Sequence, residues 1–282
     1  MRGKLGTVTG YLRLMRPLNS FIGALGILLG AHLTGNLSCN LALGLAILTA
    51  IAMTGGANAV NDFYDYEIDK INKPHRPVAS GLIPREHSRY FAYGLFGIGL
   101  GASAVIGPWP LAIAGISVLF LEGYSRWWKG IPVIGNVVVS LMIAVAFFYG
   151  AVVFGNGWAA LPPACMGFLY TWGREIIKDL EDTEGDAAQA ARTFPLLFGD
   201  TKAKLLTTVL FLLLLFGVLI PYVLNVYNVV YFVMVLVGVD LPILYVLVRL
   251  WRADTLGNYR HLSHVLKADM FIGLIAVFIG SF

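Results

Sequence analysis

Four long stretches of the chain carry no Asp, Glu, Lys or Arg: Pro17–Asn61, Tyr90–Leu121, Ile131–Gly173 and Leu205–Val239. No other feature restricts the fold as much. A helix crosses the hydrocarbon core of a bilayer in about 20 residues, so each stretch holds two crossings. Polar or helix-breaking residues mark the middle of each, at Thr34–Asn40, Gly107–Pro110, Gly155–Gly157 and Asn225–Asn228. Val265–Phe282 adds one more span, which makes nine. The apolar runs do not alternate, and this excludes an outer-membrane β-barrel. The composition is 58% hydrophobic and only 13% charged, where a soluble domain has about a quarter of its residues charged. The expected fold is therefore an all-α polytopic membrane protein with nine transmembrane helices, forming a single domain over residues 1–282.

The charged clusters are each separated from the next by two crossings, so they share one side of the membrane. They are the N-terminal segment and the loops near 70–89, 123–131, 179–204 and 251–264. All twenty Lys and Arg residues fall there or at the adjoining helix ends. By the positive-inside rule that side is cytoplasmic, and the C-terminus lies outside. This distribution accounts for the net charge of +4 without a nucleic-acid partner, and no obligate protein partner is implied. The basic start Met1-Arg2-Gly3-Lys4 precedes an apolar run with no clear cleavage site, so it reads as a retained first span. Cys39 and Cys165 are far apart and lack metal-ligand spacing, so neither a disulfide framework nor a zinc site is expected.

The acidic residues are distributed very differently. Two stretches, Asn58–Asp69 and Glu175–Asp186, hold ten of the sixteen. On a helix advancing about 100° per residue, Asn58, Asp62, Asp65 and Asp69 fall within about 60° of one another, with Asn61 at the edge and Glu67 opposite. In the second stretch Glu175, Asp179, Asp182 and Asp186 form the same kind of stripe within about 60°, while Glu181 and Glu184 face away. Carboxylates stacked about 5–6 Å apart repel unless a cation lies between them. A donor set made only of oxygen suits a hard divalent ion such as Mg²⁺. A lone acidic run would read as a solvated helix end. Two such stripes, each at the foot of an apolar segment and facing one compartment, read instead as parts of one site.

Basic residues ring the stripes. Lys73, His75, Arg76 and Arg85 follow the first, Arg174 and Lys178 lie on the second helix, off its acidic face, and Arg126 and Lys129 occupy the loop between. Carboxylates with a bridging Mg²⁺ and a rim of cations suit a diphosphate. For Arg2, Lys4, Lys202 and Lys204 the positive-inside rule is explanation enough. Asp240 lies mid-span, where an ionisable group usually faces a cavity or a partner; lining a pocket and pairing with a polar group are both open to it. Gly26 with Gly30, and Gly97 with Gly101, have the spacing of close helix packing in lipid.

At this level the residues resemble a family. Asn61-Asp62-x-x-Asp65-x-x-x-Asp69 is similar to the first motif of the UbiA-type intramembrane prenyltransferases, and Asp182-x-x-x-Asp186 to their second. The resemblance implies Mg²⁺-dependent transfer of an isoprenoid chain from its diphosphate to an acceptor, with Asn61, Asp65, Asp69, Asp182 and Asp186 facing the metal. The same stripes add Asn58, Asp62 and Asp179 as candidate metal ligands. Tyr124 and Lys129 resemble a Tyr/Lys pair that follows the fourth helix, with four residues between them where the family commonly has three. Within the family, Arg174–Asp186, Ala191–Pro195 and Lys129–Asn136 look like the archaeal digeranylgeranylglyceryl phosphate synthases. Those enzymes add a second geranylgeranyl chain to geranylgeranylglyceryl phosphate, a step in ether-lipid synthesis.

The implied partners are thus a prenyl diphosphate donor, a lipid phosphate acceptor and the membrane lipids. Candidate substrate-binding residues are Arg16, Asn19, Lys73, Arg76, Tyr124, Lys129, Asn136, Arg174 and Lys178. Asp65, Asp69, Asp182 and Asp186 are the candidate catalytic set. Two other readings are an aromatic acceptor of the quinone type and a divalent-cation transporter. A transporter should place its acids near the bilayer midplane, whereas these stand at helix feet.

Overall fold

Each long charge-free stretch folds as helices interrupted at its expected break. The computed structural model describes residues 2–183, 192–252 and 255–282, and among these every regular element is helical. In chain order the helices are α1 (Arg2–Met15), α2 (Pro17–Leu33), α3 (Leu41–Tyr64), α4 (Tyr66–Asn72), α5 (Arg85–Ile106), α6 (Pro108–Gly123), α7 (Ile134–Val153) and α8 (Leu161–Glu181). They continue as α9 (Phe194–Phe198), α10 (Asp200–Gly217), α11 (Ile220–Val223), α12 (Val229–Val235), α13 (Leu241–Arg252) and α14 (Leu256–Gly280). The local chemistry explains the starts. Pro17 and Pro108 stand in first turns, where a missing N–H costs no helical bond. Asn40 caps α3 by accepting from the Leu43 amide at 3.1 Å, and Asn228 caps α12 through the amides of Val230 and Tyr231.

Among the described residues six helices are long and apolar enough to cross a membrane: Leu41–Tyr64, Arg85–Ile106, Ile134–Val153, Asp200–Val223, Val229–Arg252 and Leu256–Gly280. A seventh arises if Thr7–Met15 and Pro17–Leu33, bent by 43° at Arg16, count as one span. The expectation of nine crossings is therefore met only in part. α6 is 16 residues long, under the length of a full crossing, and α8 carries Arg174, Glu175, Lys178 and Asp179 in its second half.

The chain forms two compact units, Met1–Lys129 with Val145–Trp158, and Gly130–Ala144 with Ala159–Phe282. In the first, α3 packs along α5 through small side chains such as Ala46, Ala50, Ala59 and Ala92, around Ile27, Met53, Val60 and Phe96. A buried set of hydroxyls joins three helices there. Tyr149 lies 2.8 Å from Ser103, which lies 3.3 Å from Thr49. Small residues let backbones approach closely, and α2 does so against the second half of α7. A Cβ on Gly30 would collide with the Phe147 carbonyl, and one on Gly150 with the Ile27 carbonyl. Gly26 sits at the same crossing, but Gly97 and Gly101 have nothing within 4 Å of a built Cβ. For that second pair the spacing marks no packing contact, because α5 leaves this face open.

In the second unit α8 packs against α10 and α14, and α12 packs against α14. Its interior is more polar than the sequence suggested. Tyr170 donates to Asp269 at 2.9 Å and also meets the Leu266 carbonyl. Asp240 ends a π-helical turn, Leu236–Asp240, and is buried with Oδ1 unpartnered among the described residues.

The Gly30 crossing gives a direct test. Gly30→Ala forces two backbones apart, and overpacking of this kind costs about 1–3 kcal/mol. The expected result is a melting temperature lower by roughly 2–10 °C in detergent, while Gly97→Ala leaves it unchanged or raised. Equal melting temperatures for the two variants would contradict the packing described.

Candidate active site

The first acidic stripe runs from the end of α3 into α4. α3 stops at Tyr64 because Asp65 has non-helical dihedrals, φ −78° and ψ 3°. The ladder of backbone bonds nevertheless continues through the break, from the Asp65 amide to Asn61 O, Asp69 to Asp65 O, and Lys73 to Asp69 O. The helical register of the stripe therefore survives. Asn58, Asp62, Asp65 and Asp69 are all buried, the three carboxylates at 2%, 5% and 3% exposure. Burying a carboxylate costs several kcal/mol unless it is paired, and each of these is. Arg16 donates to Asp62, Lys129 to Asp65, and Arg76 to Asp69 at 2.5 Å and to Asp62 at 3.4 Å. Glu67 points outward and meets Lys70, at 3.3 Å.

Two of these partners, Arg16 and Lys129, come from far along the chain. Arg16 lies at the α1–α2 bend with φ 50° and ψ 75°. The bend follows from Pro17, since a residue before proline is pushed out of the right-handed helical region. Asn58 secures it at both ends, donating to the Met15 carbonyl at 3.0 Å and accepting from Arg16 at 3.3 Å. Asn58 thus has both polar ends engaged as a brace, whereas the buried Asn61 Oδ1 has no partner among the described residues. Arg76 is set by the turn after α4, where its amide bonds to Lys73 O and its carbonyl accepts from Ser80. Lys73 and Asn19 are exposed.

Lys129 depends on a wide turn. Tyr124–Trp128 is π-helical, and the Lys129 amide reaches the Tyr124 carbonyl at 2.9 Å. A π turn bonds residue i to i+5, so it stacks two residues with four between them, as an α turn stacks two with three between them. The extra residue between Tyr124 and Lys129 is absorbed in this way, and the pair keeps a common face. Behind the stripe lies a carboxylate that the sequence reading passed over. Glu122 accepts from Tyr64 at 2.8 Å and from Tyr93 at 3.2 Å, while its Oε2 is buried without a partner among the described residues. Its sequence signal was an acid at the end of a charge-free run.

The second stripe lies in the other unit, at the end of α8. Asp179 accepts from Asn136 at 2.7 Å, joining the start of α7 to this helix. Arg174 and Lys178 do not stand apart from the acidic face. They flank Glu175 at 3.2 and 2.8 Å. Asp182 is the exposed C-cap residue, and Thr183 closes the helix end by donating to the Asp179 carbonyl at 2.9 Å. Glu181 faces away, toward Arg260. Asp186 and Glu184 fall outside the described residues.

Among the described residues no three His, Cys, Asp or Glu side chains converge as a metal cage. The donor chemistry still fits a hard divalent ion. Every candidate ligand is oxygen, the first stripe carries three buried carboxylates, and Asn61 Oδ1 is a buried acceptor with no donor among the described residues. Arg16, Arg76 and Lys129 hold the positive charge opposite these carboxylates.

The π turn makes a prediction of its own. Deleting Trp127, an exposed residue of that turn, should convert it to an α turn and keep Tyr124 and Lys129 on one face. Catalytic rate is expected to stay within about threefold, under 1 kcal/mol. Deleting Ile116 from the regular helix α6 should rotate everything beyond it and abolish activity. A deletion of Trp127 as damaging as that of Ile116 would refute the role given to the turn.

Comparison with known proteins bears on this geometry. The UbiA prenyltransferase family model matches residues 20–275. A digeranylgeranylglyceryl phosphate synthase from Methanopyrus kandleri is 36% identical, over 94% of this chain and 97% of that protein. A solved structure concerning digeranylgeranylglyceryl phosphate synthase in membranes is 30% identical, with a TM-score of 0.84 and 98% of each chain covered. A UbiA homologue from Archaeoglobus fulgidus, solved with GPP and Mg²⁺, is 18% identical with a TM-score of 0.73 over 94% of this chain and 99% of that one. That last likeness is one of fold.

Proposed function

The chain belongs to the UbiA prenyltransferase family, and on that premise we propose that it transfers a geranylgeranyl group from geranylgeranyl diphosphate to geranylgeranylglyceryl phosphate. The product is digeranylgeranylglyceryl phosphate, a precursor of archaeal ether lipids. The substrates are suggested by similarity along nearly the whole chain to synthases of that name. The observation that carries the chemistry is the buried ladder Asp62–Asp65–Asp69 with Arg16, Arg76 and Lys129 paired to it.

In this reading Asn61, Asp65 and Asp69 would be the Mg²⁺ ligands of the first stripe, and Asp179, Asp182 and Asp186 those of the second, with Asp62 held between two arginines in the first. The metal supplies Lewis-acid neutralisation of the leaving diphosphate. The bond that breaks joins the allylic C1 to the diphosphate oxygen. Lys129, Arg76 and Tyr124 stabilise the charge that develops on that oxygen, because their donors are fixed before reaction. The acceptor hydroxyl oxygen then bonds to C1 and releases its proton. Lys73, Arg174 and Lys178 bind phosphate at the rim, and Asn19 and Asn136 orient neighbouring polar groups.

We read the whole chain as one prenyltransferase domain with nine crossings: α2, α3, α5, α6, α7, α8, α10–α11, α12–α13 and α14. The acidic stripes then face the cytoplasm and the C-terminus lies outside. What supports this is the placement of every Lys and Arg on one side of the predicted crossings.

The acceptor is tested with purified protein, labelled geranylgeranyl diphosphate and Mg²⁺. Geranylgeranylglyceryl phosphate should be prenylated, 4-hydroxybenzoate should remain nearly untouched, and chelation by EDTA should abolish turnover. Efficient prenylation of the aromatic acid would assign the chain to a different acceptor class.

A further inference from the structure

One cation in the first unit, Arg13, has no place in the chemistry so far. A cleft of about 330 Å³ opens at the α1–α2 bend, lined by Arg13, Arg16, Asp62, His75 and Arg76 with Pro17 and Pro77. Its size lies at the lower end of small-molecule pockets, about 300–1,000 Å³. Three guanidinium groups and one carboxylate share this space. Arg16 and Arg76 are matched by Asp62 and Asp69. Arg13 donates to the His75 carbonyl at 3.0 Å, and pairs with no carboxylate among the described residues. It therefore adds to the cleft a solvent-accessible guanidinium that no described carboxylate engages, beside two that are paired.

The backbone indicates that this arrangement is built. Arg16 is one of three non-glycine residues with positive φ among those described. Such conformations cost of order 1–3 kcal/mol and persist only where surrounding structure holds them. Here Asn58 and Pro17 do so, and the resulting bend turns Arg13 and Arg16 toward the same cleft. The Arg13–His75 bond ties α1 to the loop that carries Arg76, so the cleft has walls from two distant segments.

We infer that this cleft holds the phosphate of the acceptor lipid, a phosphomonoester dianion gripped by Arg13 with Arg16, while His75 and the donor-side Arg76 stand at its rim. The inference rests on the acceptor proposed above. A metal-bridged diphosphate needs carboxylates on its flank, and those lie further along the stripe at Asp65 and Asp69. A phosphomonoester needs only cations, and guanidinium forks match its oxygens in pairs. With the phosphate seated beside Asp62, the glycerol hydroxyl of the acceptor is carried toward the part of the stripe assigned to the donor.

The donor and acceptor both offer phosphate oxygens, and binding measurements separate them. The full chain in phosphatidylcholine nanodiscs is titrated with labelled geranylgeranylglyceryl phosphate, and separately with geranylgeranyl diphosphate and Mg²⁺. Arg13→Ala should weaken the acceptor about tenfold and leave the donor within about twofold, with Arg13→Lys recovering part of the loss. Arg13 is exposed, so the variant should fold, which its elution volume checks. Weakened donor with unchanged acceptor would give the cleft to the diphosphate and overturn the inference. No change in either, or equal losses in both, would also overturn it. Wild-type protein that binds the donor but not geranylgeranylglyceryl phosphate would remove the proposed acceptor itself, a failure distinct from an Arg13→Ala variant that binds like wild type.

Discussion

Carboxylates buried at the end of a membrane helix must be neutralised, and the first unit is built around meeting that demand. Asp62, Asp65 and Asp69 are nearly inaccessible, and an isolated buried charge costs more than most single interactions in a protein can return. The cations that meet them arrive from the α1–α2 bend, from the loop after α4 and from the end of the π turn. Each of those features is irregular: a positive φ at Arg16, a non-helical turn at Lys73–Ser80, and a widened turn at Tyr124–Trp128. Removing one partner of a buried pair strands the other and costs about 3–5 kcal/mol. Arg76, which serves two carboxylates, is accordingly the least dispensable of the cations, and the partly exposed Lys129 is less costly to lose.

The same demand is met differently in the spans. In the first unit Thr49, Ser103 and Tyr149 satisfy one another with neutral hydroxyls. In the second, Tyr170 serves one oxygen of Asp269 while the other oxygen, and Oδ1 of Asp240, remain without partners among the described residues. Ionisable groups within a bilayer are expensive, so these two carboxyls are the part of the second unit that its own hydrogen bonds leave unexplained.

How much of this was legible in the sequence depends on how local each feature is. Helix positions follow from charge-free runs and their breaks, and the stripe at Asn58–Asp69 follows from periodicity alone, because the backbone ladder persists through Asp65. Crossing number was less secure: α6 is short and α8 is charged, so neither meets the length and composition of a plain span. Long-range pairing was not legible. Nothing near Asn58 says that it braces the Met15 carbonyl, whereas the pairs of Glu175 with Arg174 and Lys178 are local and follow from helical spacing. Glu122 and Asp269 lie outside the two acidic runs, and only the fold brings tyrosines to them. The glycine spacing at Gly97 and Gly101 misled because spacing alone does not say which face of a helix meets another. The four-residue gap between Tyr124 and Lys129 looked like a departure from the family pattern until the π turn accounted for it.

The central claim is that both acidic stripes are required together for prenyl transfer. It is tested most directly by the rates of Asp65→Asn, Asp182→Asn and the double variant at saturating Mg²⁺, with folding checked for each. Losing one such group should cost on the order of 3–4 kcal/mol, a factor of roughly 10²–10³ in rate. The double variant should fall well short of the product of the two losses, because residues acting as a unit are not additive. Glu67→Gln, on the outward face with Lys70, should be nearly normal. A near-normal rate for Asp65→Asn or Asp182→Asn, or a Glu67→Gln defect as deep as that of Asp65→Asn, would contradict the account.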